Sequence, residues 1–329
     1  MPHHEVSGKR VLVTGGLGFI GSALARELLR KGSSVIIYDN FLYGTKSNIS
    51  EIENSLEIVN GDILSWKIYE AMIQHKVDYV FHLAAEPYIP KSYDNPEKFF
   101  DVNVKGTMNV LAASKVAGVK RVVYFSSSEV YGTAKYTPMD ENHPTLPLST
   151  YAVSKLASDR LCFVFNHEHG VPVLVVRPFN CYGPRETQPY VIPEIISQLS
   201  RGRVVELGNV KAKRDFTYVE DTARGAIALM ESDIPDGEVV NLGSGKTYSI
   251  EEIALLVGRV MNRNDMVIRT SSSRMRPLDV DLLQCDCSKA KKYTGWEPAV
   301  DIREGLERTV KWYVDNGGRW SWEGVVNQV

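Results

Sequence analysis

A doubly wound α/β fold built on a parallel sheet is predicted by three observations. Short apolar runs rich in β-branched residues recur, helical stretches separate them, and the first run leads into a glycine-rich turn. Runs without polar alternation suit strands covered by helices on both faces. In order, Val11-Leu-Val13, Val35-Ile-Ile-Tyr38, Tyr79-Val-Phe81, Val122-Val-Tyr-Phe125 and Val173-Leu-Val-Val176 read as such strands, and Val239-Val-Asn-Leu242 joins them late. Asn95-Pro96-Glu97 sets an N-cap ahead of a proline at the first helical position, and Gly118 stops that helix. Ser149 or Thr150 opens another helix, which Gly170 ends. After Pro178 the alternation breaks. Ile192 to Arg201 reads as helix with Gly202 as its stop, while Ser249-Ile-Glu-Glu252 and Asp301-Ile-Arg-Glu304 read as capping boxes. The 329 residues therefore divide into a dinucleotide-type lobe over 1–178, to which 216–247 returns, and a smaller helix-rich lobe over 179–329. A cleft is expected where the second lobe meets the sheet's carboxyl edge.

Composition narrows the function. Hydrophobic residues make up 43% and charged residues 24%, enough to bury a substantial core. Lys plus Arg is 38 against 40 for Asp plus Glu, so no basic face for nucleic acid is expected. No run approaches the ~18 apolar residues of a membrane span, and Met1-Pro-His-His-Glu-Val-Ser lacks a signal-peptide core. Cys162, Cys181, Cys285 and Cys287 are too few for a disulfide scaffold and lack a second ligand pair for zinc. A cytoplasmic protein without metal, membrane or nucleic-acid partner is expected.

The turn Thr14-Gly15-Gly16-Leu17-Gly18-Phe19-Ile20-Gly21 follows the first strand and opens the first helix. Gly15 permits the tight turn, Gly18 lets backbone approach a pyrophosphate, and Gly21 lets helix pack on strand; Phe19 and Ile20 would offer first-turn N–H groups to the phosphates. The second strand ends in Asp39, 24 residues beyond Gly15, near the ~20 expected of an acid that bonds the adenosine ribose. A carboxylate there repels a 2′-phosphate, and Asn40-Phe41 supplies no arginine, so NAD is favoured over NADP. Asp62-Ile63 would hold the adenine edge and Leu83-Ala84-Ala85 would flank the nicotinamide ribose.

Tyr151 and Lys155 stand four apart on a predicted helix and so share a face. An ammonium beside a phenol favours the phenolate, which makes a base for a sugar hydroxyl. Ser126-Ser127-Ser128-Glu129 ends the strand before it, at the sheet's carboxyl edge.

Together with Arg177-Pro-Phe-Asn-Cys-Tyr-Gly-Pro-Arg185, Arg214-Asp-Phe-Thr-Tyr-Val-Glu-Asp221 and Gly295-Trp-Glu-Pro298, these motifs resemble the extended short-chain dehydrogenase/reductases that act on nucleotide sugars. The resemblance covers nearly the whole chain. It implies a Rossmann lobe with tightly held NAD, a nucleotide-diphosphate sugar as substrate, and a homodimer built on two helices per subunit near 96–117 and 151–169. It also implies that Ser127 bonds the C4 oxygen beside Tyr151. Arg214 and Arg276 would clamp the diphosphate, with Asn180 donating to it and Arg185 nearby; Asp279 would bind a ribose hydroxyl, and Ser92 and Asn103 would touch the sugar.

Within that family the chain is most similar to dehydratases, where Glu129 matches the base that removes the C5 proton once C4 is a ketone. Glucose-type 4,6-dehydratases carry Asp as the acid before this Glu. Here Ser128 stands in its place and would relay a proton from Glu129 or water. The pair is similar to that of dehydratases acting on N-acetylhexosamine nucleotides, so the expected reaction is loss of water from C6 of UDP-GlcNAc with hydride return to C6. The alternatives are a 4-epimerase, a 5,6-dehydratase and a UDP-glucuronate decarboxylase, which needs a cation near Glu129, with Lys91 as a candidate. A non-catalytic NAD-binding regulator is the alternative of a different kind.

Overall fold

The computed structural model describes residues 4–324; the first three residues of the polar N-terminal stretch lie outside it. The sheet begins with β1 (Arg10–Thr14), whose end turns through the glycine loop into α1 (Phe19–Arg30). The chain continues through β2 (Ser34–Asp39), β3 (Leu56–Asn60), α2 (Lys67–Gln74) and β4 (Tyr79–His82). A short α3 (Lys91–Asp94) and α4 (Pro96–Phe99) run through a π-helical stretch, Phe100–Lys105, into α5 (Gly106–Ala117). Then come β5 (Arg121–Phe125), α6 (Thr150–His169) and β6 (Val173–Pro178). Asn95 caps α4 by accepting from the Lys98 N–H, Ser149 caps α6 by accepting from the Ala152 N–H, and Gly118 and Gly170 close their helices in the left-handed region.

Beyond β6 lie β7 (Asn180–Tyr182), α7 (Val191–Arg201), β8 (Val204–Leu207), β9 (Lys213–Tyr218), α8 (Val219–Met230), β10 (Val239–Leu242), β11 (Thr247–Ser249), α9 (Ile250–Val260), β12 (Val267–Thr270), α10 (Ser288–Thr294) and α11 (Ile302–Asp315). The main sheet has seven strands in the order β10-β6-β5-β4-β1-β2-β3, every pair parallel. The order reverses beside β1, which places the ligand crevice at the carboxyl ends of β1 and β4.

Four expectations need correction. β3 escapes the apolar-run criterion because it is an edge strand, half-buried along its length. The second lobe is not helix-rich alone: β11-β9-β7 and β12-β8 form two small sheets within it. The return of the chain to the first lobe starts at α8 rather than at 216, since β9 stays in the small sheet. It also resumes later, because Ala290 on α10 and Trp296 pack into the core shared by β1, α1 and α8. Ser249 and Glu252 form the expected reciprocal capping box, whereas Asp301 caps α11 alone and Glu304 turns to Arg308.

Buried polar ties hold segments far apart in sequence together. Asp215, wholly buried on β9, accepts from the N–H groups of Ser244, Gly245 and Cys285 and from the Ser244 hydroxyl at 2.6–3.0 Å. Arg177 on β6 donates to Asp159 at 2.8 Å and to the Tyr131 hydroxyl at 2.9 Å, which fixes α6 against the sheet.

Candidate active site

A single cavity of about 1070 Å³ runs from the glycine loop across the carboxyl edge of the sheet to β9 and the 273–279 segment. Its floor is built by the loop after β1. Gly15 has φ +70°, and a Cβ there would lie 2.8 Å from the Ala84 nitrogen; at Gly21 it would lie 2.2 Å from the Gly15 carbonyl. Gly18 caps α1 without a side chain, so the first-turn N–H groups of Phe19, Ile20 and Gly21 face a ligand with the positive end of the helix dipole behind them. This cradle fits a dinucleotide pyrophosphate.

Asp39 closes one side of the cradle. Its Oδ2 accepts from the Leu17 N–H at 3.0 Å and its Oδ1 from the Phe41 N–H at 2.8 Å. Burial raises its carboxyl above the ordinary range, and these two backbone bonds pull it back. The carboxylate thus holds the glycine turn while it lines the cavity. Asn40 donates to Asp62 at 3.0 Å, and Asp62, Ile63, Leu83, Ala84 and Ala85 continue the wall. His82 lies beneath, between the hydroxyls of Thr14 (2.7 Å) and Thr107 (3.0 Å), and burial pushes it down to about 3, so it is neutral. Thr14 Oγ1 also accepts from the N–H groups of Leu83 and Ala84, which locks the β4 end to β1.

Ser127, Glu129, Tyr151 and Lys155 line the same cavity. Ser127 Oγ accepts from the Glu129 N–H at 3.2 Å and thereby turns the chain after β5. Among the described residues no hydrogen bond joins Tyr151 to Lys155. Lys155 donates instead to the Phe125 carbonyl, with its ammonium 4.6 Å from the centre of the Tyr124 ring. Burial pushes Tyr151 up to about 12, opposed by a hydrogen bond with Ser127, and burial pulls Lys155 down to about 7. Desolvation therefore outweighs the pairing that the four-residue spacing predicts.

At the other end Arg214 donates to Asp279 at 3.3 Å, and Arg276 lies 3.9 Å from both Asp279 and Glu129. Asn180 lines the wall, its buried Oδ1 without a hydrogen-bond partner among the described residues. The guanidinium forks thus converge near Glu129, arranged for an anionic ligand.

Four predicted residues fall elsewhere. Ser128 is buried between Ser127 and Glu129 and does not line the cavity itself. Ser92 is fully buried off the cavity. Asn103 spends its amide inside the protein: Oδ1 accepts from the Glu86 N–H at 2.8 Å and Nδ2 donates to Ser154 at 2.9 Å. Arg185 faces outward to Glu51 at 2.9 Å, away from Arg214 and Arg276. Lys91 lies over the Tyr43 ring, and the cation beside Glu129 is Arg276. Sequence reasoning missed Tyr43, Glu86, Lys98, Glu186 and Tyr190 on the wall. Glu86 meets the Tyr43 hydroxyl and the Lys98 ammonium, both at 2.6 Å, a junction of three distant segments that no local motif announces. Among the described residues there is no metal-ligating cluster and no helix long and apolar enough to cross a membrane.

Residues 12–309 match the family described as GDP-mannose 4,6 dehydratase. The chain is 34% identical over 93% of its length to a UDP-N-acetyl-alpha-D-glucosaminuronate decarboxylase of Bacillus cytotoxicus, covering 98% of that protein. Among solved structures, the epimerase Mth375 of Methanothermobacter thermautotrophicus is 35% identical with a TM-score of 0.88, over 97% of this chain and 95% of that one. The dTDP-glucose 4,6-dehydratase DesIV of Streptomyces venezuelae, solved with NAD bound, is 30% identical with a TM-score of 0.89, over 95% of this chain and 99% of that one.

Proposed function

Because the chain belongs to the GDP-mannose 4,6 dehydratase family of extended short-chain dehydrogenase/reductases, NAD enzymes that modify nucleotide sugars, we propose that it is a nucleotide-hexose 4,6-dehydratase acting on a UDP-linked N-acetylhexosamine. One observation carries this reading: the Glu129 carboxylate lines the cavity together with Tyr151 and Ser127. Inversion at C4 has no use for a carboxylate beside the phenol. Removal of the C5 proton does.

The glycine cradle, Asp39, Asn40, Asp62, Ile63, the 83–85 stretch, Tyr151 and Lys155 would hold NAD, in the cavity they share. When bound, NAD supplies the hydride acceptor for C4, the hydride returned to C6, and a positive ring that favours a nearby phenolate. Ser127 bonds the C4 oxygen and Tyr151 takes its proton. Glu129 takes the C5 proton and delivers it to the C6 hydroxyl as that group leaves as water; the proton that Tyr151 took from the C4 hydroxyl then returns to C5 by way of Glu129 as hydride reaches C6. Arg214, Arg276 and Asn180 hold the diphosphate, and Asp279 the ribose.

A second reading has its own support. Arg276 beside Glu129 is a cation placed to grip a C6 carboxylate, as a uronate decarboxylase requires. Incubation with UDP-GlcNAc, UDP-glucose, GDP-GlcNAc, dTDP-glucose and UDP-glucuronate separates the readings by product mass. Loss of water, with the C4 hydrogen found at C6, supports the dehydratase. Loss of carbon dioxide replaces it, a mass-neutral product indicates epimerisation, and NAD binding without turnover leaves a regulator.

The assembly proposed is a homodimer through α6 and the helical stretch 96–117. Phe100, Met108, Val116 and Val153 expose apolar side chains there, which a four-helix contact between two copies would cover.

A further inference from the structure

Glu186 is a buried acid in the cavity wall, 1% exposed, that the sequence reading and the reaction above leave unused. The turn from β7 aims it inward. Gly183 has φ +154°, with no room for a Cβ beside Val219, and Arg185 takes the left-handed region at φ +69°, uncommon for a side chain of its size. That backbone sends Arg185 out to Glu51 and Glu186 in toward the cavity. Residues held in sparsely populated conformations cluster at ligand sites, because the surrounding fold must pay for them.

Only half of the Glu186 carboxyl is used by the protein. Oε1 accepts from the Gly183 N–H at 3.3 Å, and Oε2 is buried with no hydrogen-bond partner among the described residues. Among the described residues no salt bridge reaches it, and burial drives its carboxyl well above the ordinary range. A buried carboxyl oxygen left without a partner has a hydrogen bond still to make. Tyr190 packs edge-on against Tyr88, and Tyr151 against Phe99. Glu186, Cys181, Tyr190 and Tyr151, the phenol assigned to C4 above, all line the one cavity.

We propose that Glu186 reads the hexose, sharing a hydrogen bond between Oε2 and a hydroxyl of the sugar. It is a specificity residue rather than an acid–base group, and the assignment rests on the nucleotide-sugar reading above. Gln keeps a hydrogen-bonding group at this position, whereas Leu removes it and Asp withdraws it by one methylene.

Affinities for UDP-GlcNAc, UDP-glucose and UDP, measured by calorimetry on the purified protein together with its NAD content, test the assignment. Glu186→Gln should bind like wild type. Glu186→Leu and Glu186→Asp should lose about fivefold to tenfold in affinity for the UDP-hexoses, with UDP affinity and NAD content unchanged. Glu186→Asp retains the acid and so serves if the Leu variant fails to fold. Equal losses for UDP and UDP-hexose, loss of NAD, or a Gln variant as weak as the Leu variant would each overturn the proposal. Unchanged hexose binding in both the Leu and Asp variants would overturn it while leaving the nucleotide-sugar reading intact. Wild-type protein that binds none of the UDP-hexoses would overturn both.

Discussion

Tyr151 faces two opposed demands: it must be buried to meet a sugar, and it must ionise to act as a base. Without ligands burial wins and the phenol stands at about 12, so it is protonated near neutral pH. Its removal should stop chemistry without loosening the cofactor: Tyr151→Phe should retain bound NAD yet show no NADH absorbance with substrate. Glu129→Gln should oxidise C4 and stall, so that NADH absorbance accumulates without dehydrated product; full activity in this variant would remove the lyase assignment. Lys155 makes a prediction about stability. Burial lowers it from 10.5 to about 7, with Cys162 and Asp159 opposing. Between those values the unfolded chain binds a proton that the folded chain has released, so stability rises as pH is raised through this window. Below it both states are protonated, and the cost of the buried charge stands in full. Urea midpoints should therefore show Lys155→Met ahead of wild type near about pH 6, by a margin that narrows toward about pH 9. A margin independent of pH would show that the amine is not desolvated.

Elements carry the site because their ends are determined locally. The open end of α1 depends on backbone that only glycine permits. Gly15→Ala places a methyl group 2.8 Å from the Ala84 nitrogen at φ +70°, and the purified protein should come with little or no NAD. Ser149 performs the opposite service at α6, where its hydroxyl accepts from the Ala152 N–H at 3.1 Å. Ser149→Ala should cost about 1 kcal/mol in a denaturant titration, and through Tyr151 and Lys155 on the first turns it should reduce turnover as well. These caps and the six apolar strands were legible in the sequence because each depends on residues within a few positions. β3 was not. Half exposure at the sheet edge mixes polar residues into Leu56–Asn60 and hides the run.

At the scale of the molecule, buried polar ties hold segments far apart in sequence together. Asp215→Ala would strand the buried N–H groups of Ser244, Gly245 and Cys285, and should cost about 3 kcal/mol or more of stability, read as a lower urea midpoint. The proposed dimer has a separate test. Val116→Glu together with Met108→Lys should yield a monomer in sedimentation, with the fold kept, since both side chains already meet solvent in the single chain.

The amino-acid order by itself determined the parallel sheet and the glycine cradle, which depend on short local patterns, and it picked out Asp39, Ser127, Glu129, Tyr151 and Lys155, which line one cavity. Tertiary structure alone decided which neighbours those groups meet. Lys155 turns to the Phe125 carbonyl instead of the phenol, Ser128 is hidden, Arg185 faces out while Glu186 faces in, and Arg276 reaches Glu129 across 147 residues of chain. The physical reason is that burial and long-range approach set both the charge state of a side chain and the partner it meets, and neither is a property of local sequence.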